Sequence, residues 1–420
     1  MRCEPFALTG DPASLALQVR GLIPASESVS PAVSEIVARV RERRDVAVLD
    51  YTSRFDLSGA KARPLRVGED ELEAAARGLH PEIRLALERA IDNVMRVATA
   101  ALPEAVSVGF EGHSVALRRE PVARAAVYVP GGRAPYPSTV VMGVIPARAA
   151  GVPEIAVCTP PGPDGEVPAV IAAACRLAGV WTVYRMGGAQ AIAALAYGTE
   201  SVDPVDLIVG PGNLYVQEAK RQVFGTVGID GLAGPSDLLV IADPGVDPGL
   251  VALDLLAQAE HGPATLVLLA SASESLLDAV RGRIEAAGET GAVAALVRVR
   301  DLEDALGLAQ ALAPEHLQLM GAGAEALAPR ITCAGCLFVG SGSATAFGDY
   351  IAGSNHILPT AGAARFASGL TPNHFLRSMA EVRISEAAKL AQEASPLARA
   401  EGFEIHARSM EARIRDNPPP

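Results

Sequence analysis

Ala125-Ala-Val-Tyr-Val129 is a short apolar run that leads directly into Pro130-Gly-Gly-Arg-Ala-Pro-Tyr-Pro-Ser138. An apolar run without alternation is typical of a parallel strand that is covered on both faces. The glycines and prolines after it predict a tight turn, and Ser138 is placed to cap a helix over 140–150. The stretch therefore predicts a strand, a turn and a helix, which is the repeating unit of a parallel α/β fold.

The same pattern recurs along most of the chain. Because short apolar runs bounded by Gly or Pro alternate with amphipathic stretches, we expect parallel strands joined by crossover helices. The further predicted strands cover 155–158, 181–186, 206–209, 237–242, 265–270 and 337–340, and the further predicted helices cover 168–177, 189–197, 214–223 and 250–260. The two ends of the chain differ. Helices are predicted over 30–44 and 81–98, and the last fifty residues are predicted to be helical before Pro418-Pro-Pro420.

Composition excludes several classes of protein. Of the 420 residues, 50% are hydrophobic and 20% are charged, so the chain can bury a large core and is not a disordered chain. The formal net charge of −12, without a Lys/Arg cluster, argues against nucleic acid or an anionic membrane as a partner. No apolar stretch reaches membrane-spanning length and the N-terminus has no signal-peptide pattern, so we expect a cytoplasmic protein.

The 5 cysteines are too few for a disulfide framework. Cys333 and Cys336 form a CxxC, which could be a redox pair or half of a zinc site. A zinc site of this type needs a second pair, and the sequence has none. We therefore interpret both residues as small apolar side chains that enter a buried strand.

Three glycine-rich turns each join a predicted strand to a predicted helix, at 128–138, 186–190 and 210–213. Such turns place free N–H groups and the positive end of a helix beside the carboxyl end of a strand, where phosphates bind. None of them matches G-x-G-x-x-G, so the spacing leaves a nucleotide site and a purely structural role equally open. The amides of Gln190 and Asn213 can donate and accept at the rim of such a crevice.

A set of polar residues in the second half suggests a metal site with acid–base groups. Gln258, His261, Asp349 and His406 offer oxygen and nitrogen ligands for a borderline cation such as zinc. Each also has a simpler interpretation. His261 follows a predicted helix that Asp247 and Pro248 begin, where a histidine more often caps the helix, and Asp349 can be a turn residue.

The adjacent Glu315 and His316 can transfer protons to and from a substrate. Taken alone, this pair is more often a solvated dipeptide at the end of a helix or loop. Glu401 accompanies His406 near the C-terminus. The sequence does not show that any of these groups converge.

Longer motifs resemble the histidinol dehydrogenase family and cover most of positions 120–410 in the expected order. They are VYVPGGRAPYPS (127–138), GGAQAIAALAYGTESV (187–202), GPGNLYVQEAKRQV (210–223), AGPSDLLVIAD (233–243), QAEHGP (258–263), APEHLQ (313–318), GDYIAGSNHILPT (348–360) and GFEIHARS (402–409).

The resemblance implies oxidation of L-histidinol to L-histidine in two NAD-dependent steps, through a bound aldehyde, with one zinc ion per active site. It implies Gln258, His261, Asp349 and His406 as zinc ligands, and Glu315 and His316 as the proton-transfer residues. The substrate would contact Ser236, Gln258, His261, His316, Asp349, Glu401 and His406, and NAD would contact Tyr128, Gln190 and Asn213. It also implies a homodimer in which the C-terminal tail completes the active site of the neighbouring subunit.

The fold implied is α/β, with two related, incomplete Rossmann-like parallel-sheet domains and helical extensions at both ends. We expect an N-terminal extension over 1–19, a discontinuous first domain over 20–127 and 237–369, an NAD-contacting second domain over 128–236 and a helical tail over 370–420. The alternative function is a related zinc- and NAD-dependent alcohol dehydrogenase that acts on another polyol, such as a sulfonated diol. Its ligands and Glu-His pair would look alike, but Glu401 and His406 suit an amine and an imidazole.

Overall fold

The computed structural model describes residues 1–23, 28–57, 63–131 and 134–414. Its strands are β1 (Arg2–Ala7), β2 (Val106–Phe110), β3 (His113–Pro121), β4 (Arg124–Tyr128), β5 (Glu154–Thr159), β6 (Thr182–Arg185), β7 (Leu207–Val209), β8 (Gly228–Ile229), β9 (Asp237–Ala242), β10 (Leu266–Ser271), β11 (Val293–Arg298), β12 (His316–Met320), β13 (Cys336–Val339) and β14 (Leu376–Ile384).

Its helices are α1 (Pro12–Arg20), α2 (Ser30–Phe55), α3 (Glu69–Gly78), α4 (Pro81–Ala100), α5 (Pro137–Ala149), α6 (Ala169–Leu177), α7 (Gly188–Tyr197), α8 (Leu214–Val223), α9 (Pro248–Ala259), α10 (Glu274–Ala286), α11 (Leu302–Leu312), α12 (Ala322–Glu325), α13 (Thr345–Tyr350), α14 (Ala387–Ala400) and α15 (Glu404–Glu411). Helix α2 is interrupted at Arg44, whose backbone is not helical.

A five-stranded parallel sheet has the order β6-β5-β4-β7-β8. The chain starts at β4, moves outward through β5 and β6, and then returns to add β7 on the other side of β4. Strand order therefore reverses between β4 and β7. In open α/β sheets, ligands bind outside the carboxyl ends of the strands at such a reversal.

A six-stranded parallel sheet repeats this topology in the order β1-β11-β10-β9-β12-β13. Here the chain moves outward from β9 through β10 and β11, and returns to place β12 on the other side of β9. All six residues of β9 and of β10 are buried, as expected for strands that are covered on both faces. The predicted α/β class with two related parallel sheets is confirmed.

Two compact units divide the chain. One comprises Met1–Ala101 and Val122–Phe375, and it contains both parallel sheets. The other comprises Leu102–Pro121 and the described part of Leu376–Pro420. Within the second unit, β14, β3 and β2 form an antiparallel sheet, and α14 packs against α15.

Several local predictions need correction. Helix α5 begins at Pro137 after Tyr136, so Ser138 lies inside the first turn and does not cap the helix. The strongest departure at the C-terminal end is β14, a nine-residue strand in a stretch that we expected to be helical. Strands β1, β11 and β12 were also not predicted. Gly132, Arg133 and the terminal prolines lie outside the described residues.

No helix in the described ranges combines the length and the apolar character that a membrane crossing requires.

Candidate active site

Glu315 and His316 lie at the junction between α11 and β12. Helix α11 ends at Leu312. The left-handed backbone of its C-cap residue Ala313 (φ 46°) turns the chain into Pro314, and His316 is the first residue of β12. The side chains are buried, since Glu315 is 7% exposed and His316 is 3% exposed. The interpretation of this pair as a solvated dipeptide is therefore wrong. Two ionisable groups taken out of water next to each other need specific partners.

Glu315 obtains its partners from the start of the neighbouring strand β9. Its carboxylate accepts hydrogen bonds from the Ser236 hydroxyl and, at 3.1 Å, from the Asp237 N–H. In return, the Glu315 N–H donates to Asp237 Oδ1 at 2.7 Å. Arg20, the last residue of α1, donates to Asp237 Oδ2 at 3.0 Å. Glu315 is therefore fixed at the amino edge of the six-stranded sheet.

Burial shifts the pKa values of Glu315 and His316 in opposite directions, and in both cases it favours the neutral form. It raises the pKa of Glu315 to about 8, and the negative charges of Asp237 and Asp349 add to the effect. Burial, reinforced by His261 and His356, lowers the pKa of His316 to about 3. The His316 ring is therefore neutral at pH 7 and can accept a proton. Its Nδ1 lies 3.7 Å from Glu315 Oε2 and its Nε2 lies 3.9 Å from Asp349 Oδ1, both too long for hydrogen bonds.

Gln258 and His261 come from the end of α9. Asp247 caps this helix as predicted, and its side chain accepts the Gly249 N–H at 2.7 Å. The helix ends at Ala259, so His261 lies beyond it and not on a helix face shared with Gln258. The Nε2 of Gln258 donates to the Ser236 hydroxyl at 2.7 Å, and Nδ1 of His261 lies 3.0 Å from the Gln258 carbonyl oxygen. These contacts leave the amide oxygen of Gln258 and Nε2 of His261 for another partner.

Asp349 closes the site from α13. Burial raises its pKa, and the neighbouring His261 imidazole opposes the increase. The backbone oxygen of Asp349 lies 3.1 Å from Nδ1 of His356, and Nε2 of His356 lies 3.2 Å from the Thr139 hydroxyl. Thr139 stands in the first turn of α5, which follows the glycine turn after β4. His356 therefore connects α13 to α5, the helix that follows β4.

The side chains of Gln258, His261 and Asp349 are chemically suited to bind zinc. They are three of the four predicted ligands, and the fourth lies in the other unit. Among the described residues there is no cluster of three or more His, Cys, Asp or Glu side chains able to hold a metal. His261 and Asp349 supply one imidazole and one carboxylate, and the third candidate is the amide of Gln258. Zinc takes four such ligands. The fourth predicted ligand, His406, is exposed in the second unit, as is Glu401.

The three glycine turns follow β4, β6 and β7, so they share the carboxyl edge of the five-stranded sheet. Tyr128, the last residue of β4, accepts the Gly188 N–H at its hydroxyl at 3.0 Å. A side chain on Gly210 would put its Cβ 2.2 Å from the Tyr128 carbonyl oxygen, so only glycine fits there. The turns after β4, β6 and β7 thus meet around the reversal of strand order.

Two amides at this edge remain available to a ligand. Gln190 is 1% exposed and its Nε2 has no hydrogen-bond partner among the described residues. A buried donor without a partner is costly and suggests that a bound molecule satisfies it. Asn213 is exposed, and its Oδ1 caps α8 by accepting the Tyr215 and Val216 N–H groups at 3.0 and 3.2 Å, which leaves Nδ2 free. These features fit a dinucleotide.

Asp237, Arg20 and His356 support the site and were not predicted from the sequence as site residues. Asp237 was identified only as the first residue of a strand. Arg20 is 217 positions away from it, and no sequence pattern connects the two. His356 lies seven residues after Asp349, within the motif over 348–360, and no role was assigned to it from the sequence. Its signal was the dense polar stretch GDYIAGSNH.

This geometry places buried acid–base groups beside candidate metal ligands. The carboxyl edge of the five-stranded sheet provides a separate site that fits a dinucleotide. These features are typical of a metal-assisted dehydrogenase. The family model for histidinol dehydrogenase matches residues 24–414, and the chain belongs to that family. The enzyme class expected from the sequence, an NAD-dependent oxidoreductase acting on CH–OH groups, is confirmed.

Relatives and a solved structure agree with this assignment. The chain is 45% identical over 404 residues to histidinol dehydrogenase of Parasynechococcus marenigrum, with 92% of each chain covered. It is 43% identical over 429 residues to that of Rhodospirillum rubrum, with 99% of this chain and 98% of the relative covered. The crystal structure of histidinol dehydrogenase from Elizabethkingia anophelis has a TM-score of 0.90 at 30% identity, and covers 99% of this chain and 98% of that one.

Proposed function

We propose that the protein oxidises L-histidinol to L-histidine through bound L-histidinaldehyde, with two molecules of NAD as hydride acceptors. The observation that carries this proposal is a chain of hydrogen bonds from Gln258 through Ser236 to Glu315. The neutral His316 lies beside Glu315 and Asp349, at 3.7 and 3.9 Å. Together these contacts join candidate metal ligands to two groups whose protonation suits proton transfer.

Zinc would be held by Gln258, His261, Asp349 and His406. When bound, zinc supplies a Lewis acid that orients the imidazole and amine of histidinol. His406 belongs to the second unit, so we propose that the protein is a homodimer in which the tail of one subunit completes the site of the other. Glu401 would pair with the substrate ammonium group.

His316 is suited to begin the first oxidation. Its neutral ring accepts the hydroxyl proton of histidinol while the carbinol C–H leaves as hydride to NAD, which produces the aldehyde, NADH and a protonated His316. Because burial disfavours the imidazolium, His316 then readily returns the proton to solvent or to a neighbouring carboxylate.

Glu315 is suited to the second oxidation. In its ionised form it takes a proton from water as the water oxygen adds to the aldehyde carbon, which gives the monoanion of the hydrate. The monoanion then gives its C–H as hydride to a second NAD, and the carboxylic acid that remains releases its proton to solvent. The Ser236 hydroxyl and the Asp237 N–H hold the carboxylate oxygen in place for this step. A proton acceptor fixed by two donors loses little freedom on reaching the transition state.

Tyr128, Gln190 and Asn213 would contact NAD at the carboxyl edge of the five-stranded sheet, in the predicted domain over 128–236. Support comes from Gln190 Nε2, which has no hydrogen-bond partner among the described residues, and from Asn213, an exposed amide at the start of α8. A cytoplasmic location is part of the same proposal.

The proposal is tested by counting NADH against histidinol. Purified protein with zinc, limiting L-histidinol and excess NAD should form two NADH per histidinol, with histidine identified by mass spectrometry. One NADH per histidinol would restrict the enzyme to the alcohol step. Turnover of a sulfonated diol without turnover of histidinol would support the alternative polyol dehydrogenase.

A further inference from the structure

Lys220 is a buried lysine whose role the proposed mechanism does not explain. Its side chain is 1% exposed, in a helix whose inner face is made of Val216, Ala219 and Val223. A lysine is almost never fully buried unless it is paired. Lys220 is paired with Asp230, a residue just beyond β8 that is itself only 9% exposed.

The Lys220–Asp230 pair holds Gly210 through the two peptide units that flank it. Lys220 Nζ donates to the Gly210 carbonyl oxygen at 2.8 Å and to Asp230 Oδ1. The other oxygen of Asp230 accepts the Gly210 N–H at 2.7 Å. Both backbone groups of Gly210 are therefore satisfied by the two members of one ion pair, which determines how this residue is oriented.

Gly210 is the residue where the chain leaves β7 for the third glycine turn. Its φ of +113° favours glycine, and it lies directly against the Tyr128 carbonyl oxygen. Three residues later, Asn213 caps α8. The turn 210–213 is thus anchored at its start by the ion pair and at its end by the Asn213 cap. It lies against Tyr128 and ends at Asn213, and we assign both of these residues to NAD binding.

We propose that Lys220 and Asp230 are positioning residues for NAD, which hold the turn 210–213 in its binding conformation before the dinucleotide arrives. The inference rests on the NAD site of the proposed function. A buried ion pair adds little net stability compared with an apolar pair of similar size, so its contribution here is to specify one backbone arrangement. A preformed turn binds its ligand without a further ordering cost.

The test is the double variant Lys220→Met with Asp230→Asn, which leaves no unpaired buried charge. The matched control is Arg221→Met with Glu218→Gln, which removes from the same helix a salt bridge of 2.6 Å that does not contact Gly210. NAD binding by calorimetry, histidinol binding and steady-state kinetics are measured for each protein. We expect the NAD Kd and the KM for NAD to rise about tenfold in the first variant, with the histidinol KM and kcat at saturating NAD unchanged.

Unchanged NAD affinity in the Lys220→Met, Asp230→Asn protein would overturn the inference. A wild-type protein that binds no NAD would instead overturn the proposed function. If the double variant does not fold, amide hydrogen exchange on the NAD-free wild-type protein decides. Protection of the Gly210 amide equal to that of β7 supports a preformed turn, and exchange at the rate of an unfolded chain contradicts it.

Discussion

Glu315 and Asp237 each donate a backbone N–H to the other's carboxylate, at 2.7 Å from Glu315 and at 3.1 Å from Asp237. The two residues stand side by side at the amino ends of β12 and β9. Two buried carboxylates this close repel each other when both are ionised. Burial raises the pKa of both carboxyls, and Arg20 opposes the increase at Asp237, whereas no cation among the described residues of the site does so at Glu315, whose pKa reaches about 8.

The oxidation of histidinaldehyde should therefore depend on pH. Glu315 must be ionised to accept a proton from water, and burial raises its pKa to about 8. Because the active form is the deprotonated one, the rate of NADH formation from the aldehyde should rise with pH, be half-maximal near pH 8 and level off above it. Glu315→Gln should abolish most of this rate, while Glu82→Gln, at a side chain 92% exposed, should not. A rate that is flat across this range would contradict the role of Glu315.

Replacing His316 should separate metal binding from proton transfer. We expect His316→Asn to lower kcat about a hundredfold to ten-thousandfold, because the proton acceptor for the hydroxyl is lost. Zinc content measured by atomic absorption should stay at the wild-type value, since His316 is not a proposed ligand. His80→Asn, at a histidine 64% exposed, is the control. Normal turnover in the His316 variant would exclude this residue as the base.

Removing the metal should stop the reaction reversibly. Dialysis against a chelator is expected to abolish NADH formation, and added zinc should restore it, because the metal orients the substrate. Asp349→Asn should weaken zinc binding in a competition titration with a chromophoric chelator, whereas Asp278→Asn, at a side chain 63% exposed, should leave it unchanged. Fully active protein that contains no zinc would overturn the ligand set.

Gly210 offers a test of the dinucleotide edge that leaves the side chains of the ion pair unchanged. In Gly210→Ala the new Cβ would be 2.2 Å from the Tyr128 carbonyl oxygen, so the turn must move. Gly225→Ala is matched, since Gly225 also has a positive φ of +98°, but a Cβ there would meet no atom of the described residues within 4 Å. Urea unfolding should show about 1–3 kcal/mol more destabilisation at Gly210 than at Gly225. NAD affinity should fall only at Gly210, and equal effects at both sites would contradict the close approach.

Much of the fold was predictable because its strands are buried on both faces. The run 237–242 is continuous and apolar, and the structure has β9 over the same residues. Strand β12 was not predicted because His316 and Gln318 interrupt its apolar residues. These polar side chains are nonetheless buried, at 3% and 0% exposure, since His316 lies in the candidate site and Gln318 donates to Asp254 Oδ2 at 2.7 Å. Strand β14 is largely exposed, so it lacks the apolar signal of the parallel strands.

The supporting contacts of the site were beyond sequence reasoning. The motifs identified Glu315 and His316, but nothing in their spacing indicated that both would be buried or that Asp237 would bond to Glu315. Contacts such as Arg20 to Asp237 and His356 to Thr139 join residues 217 positions apart. They depend on how two sheets and their helices pack, which a local pattern does not encode.

The central claim is that Gln258, His261 and Asp349 share one zinc ion beside Glu315 and His316. Anomalous diffraction at the zinc edge, from crystals grown with zinc and soaked in histidinol, tests it most directly. We predict one strong peak per subunit, at about 2.0–2.3 Å from Gln258 Oε1, His261 Nε2 and an Asp349 carboxylate oxygen, with His406 of a neighbouring subunit as the fourth protein ligand. A zinc peak elsewhere, or one that contacts none of these three side chains, would contradict the account.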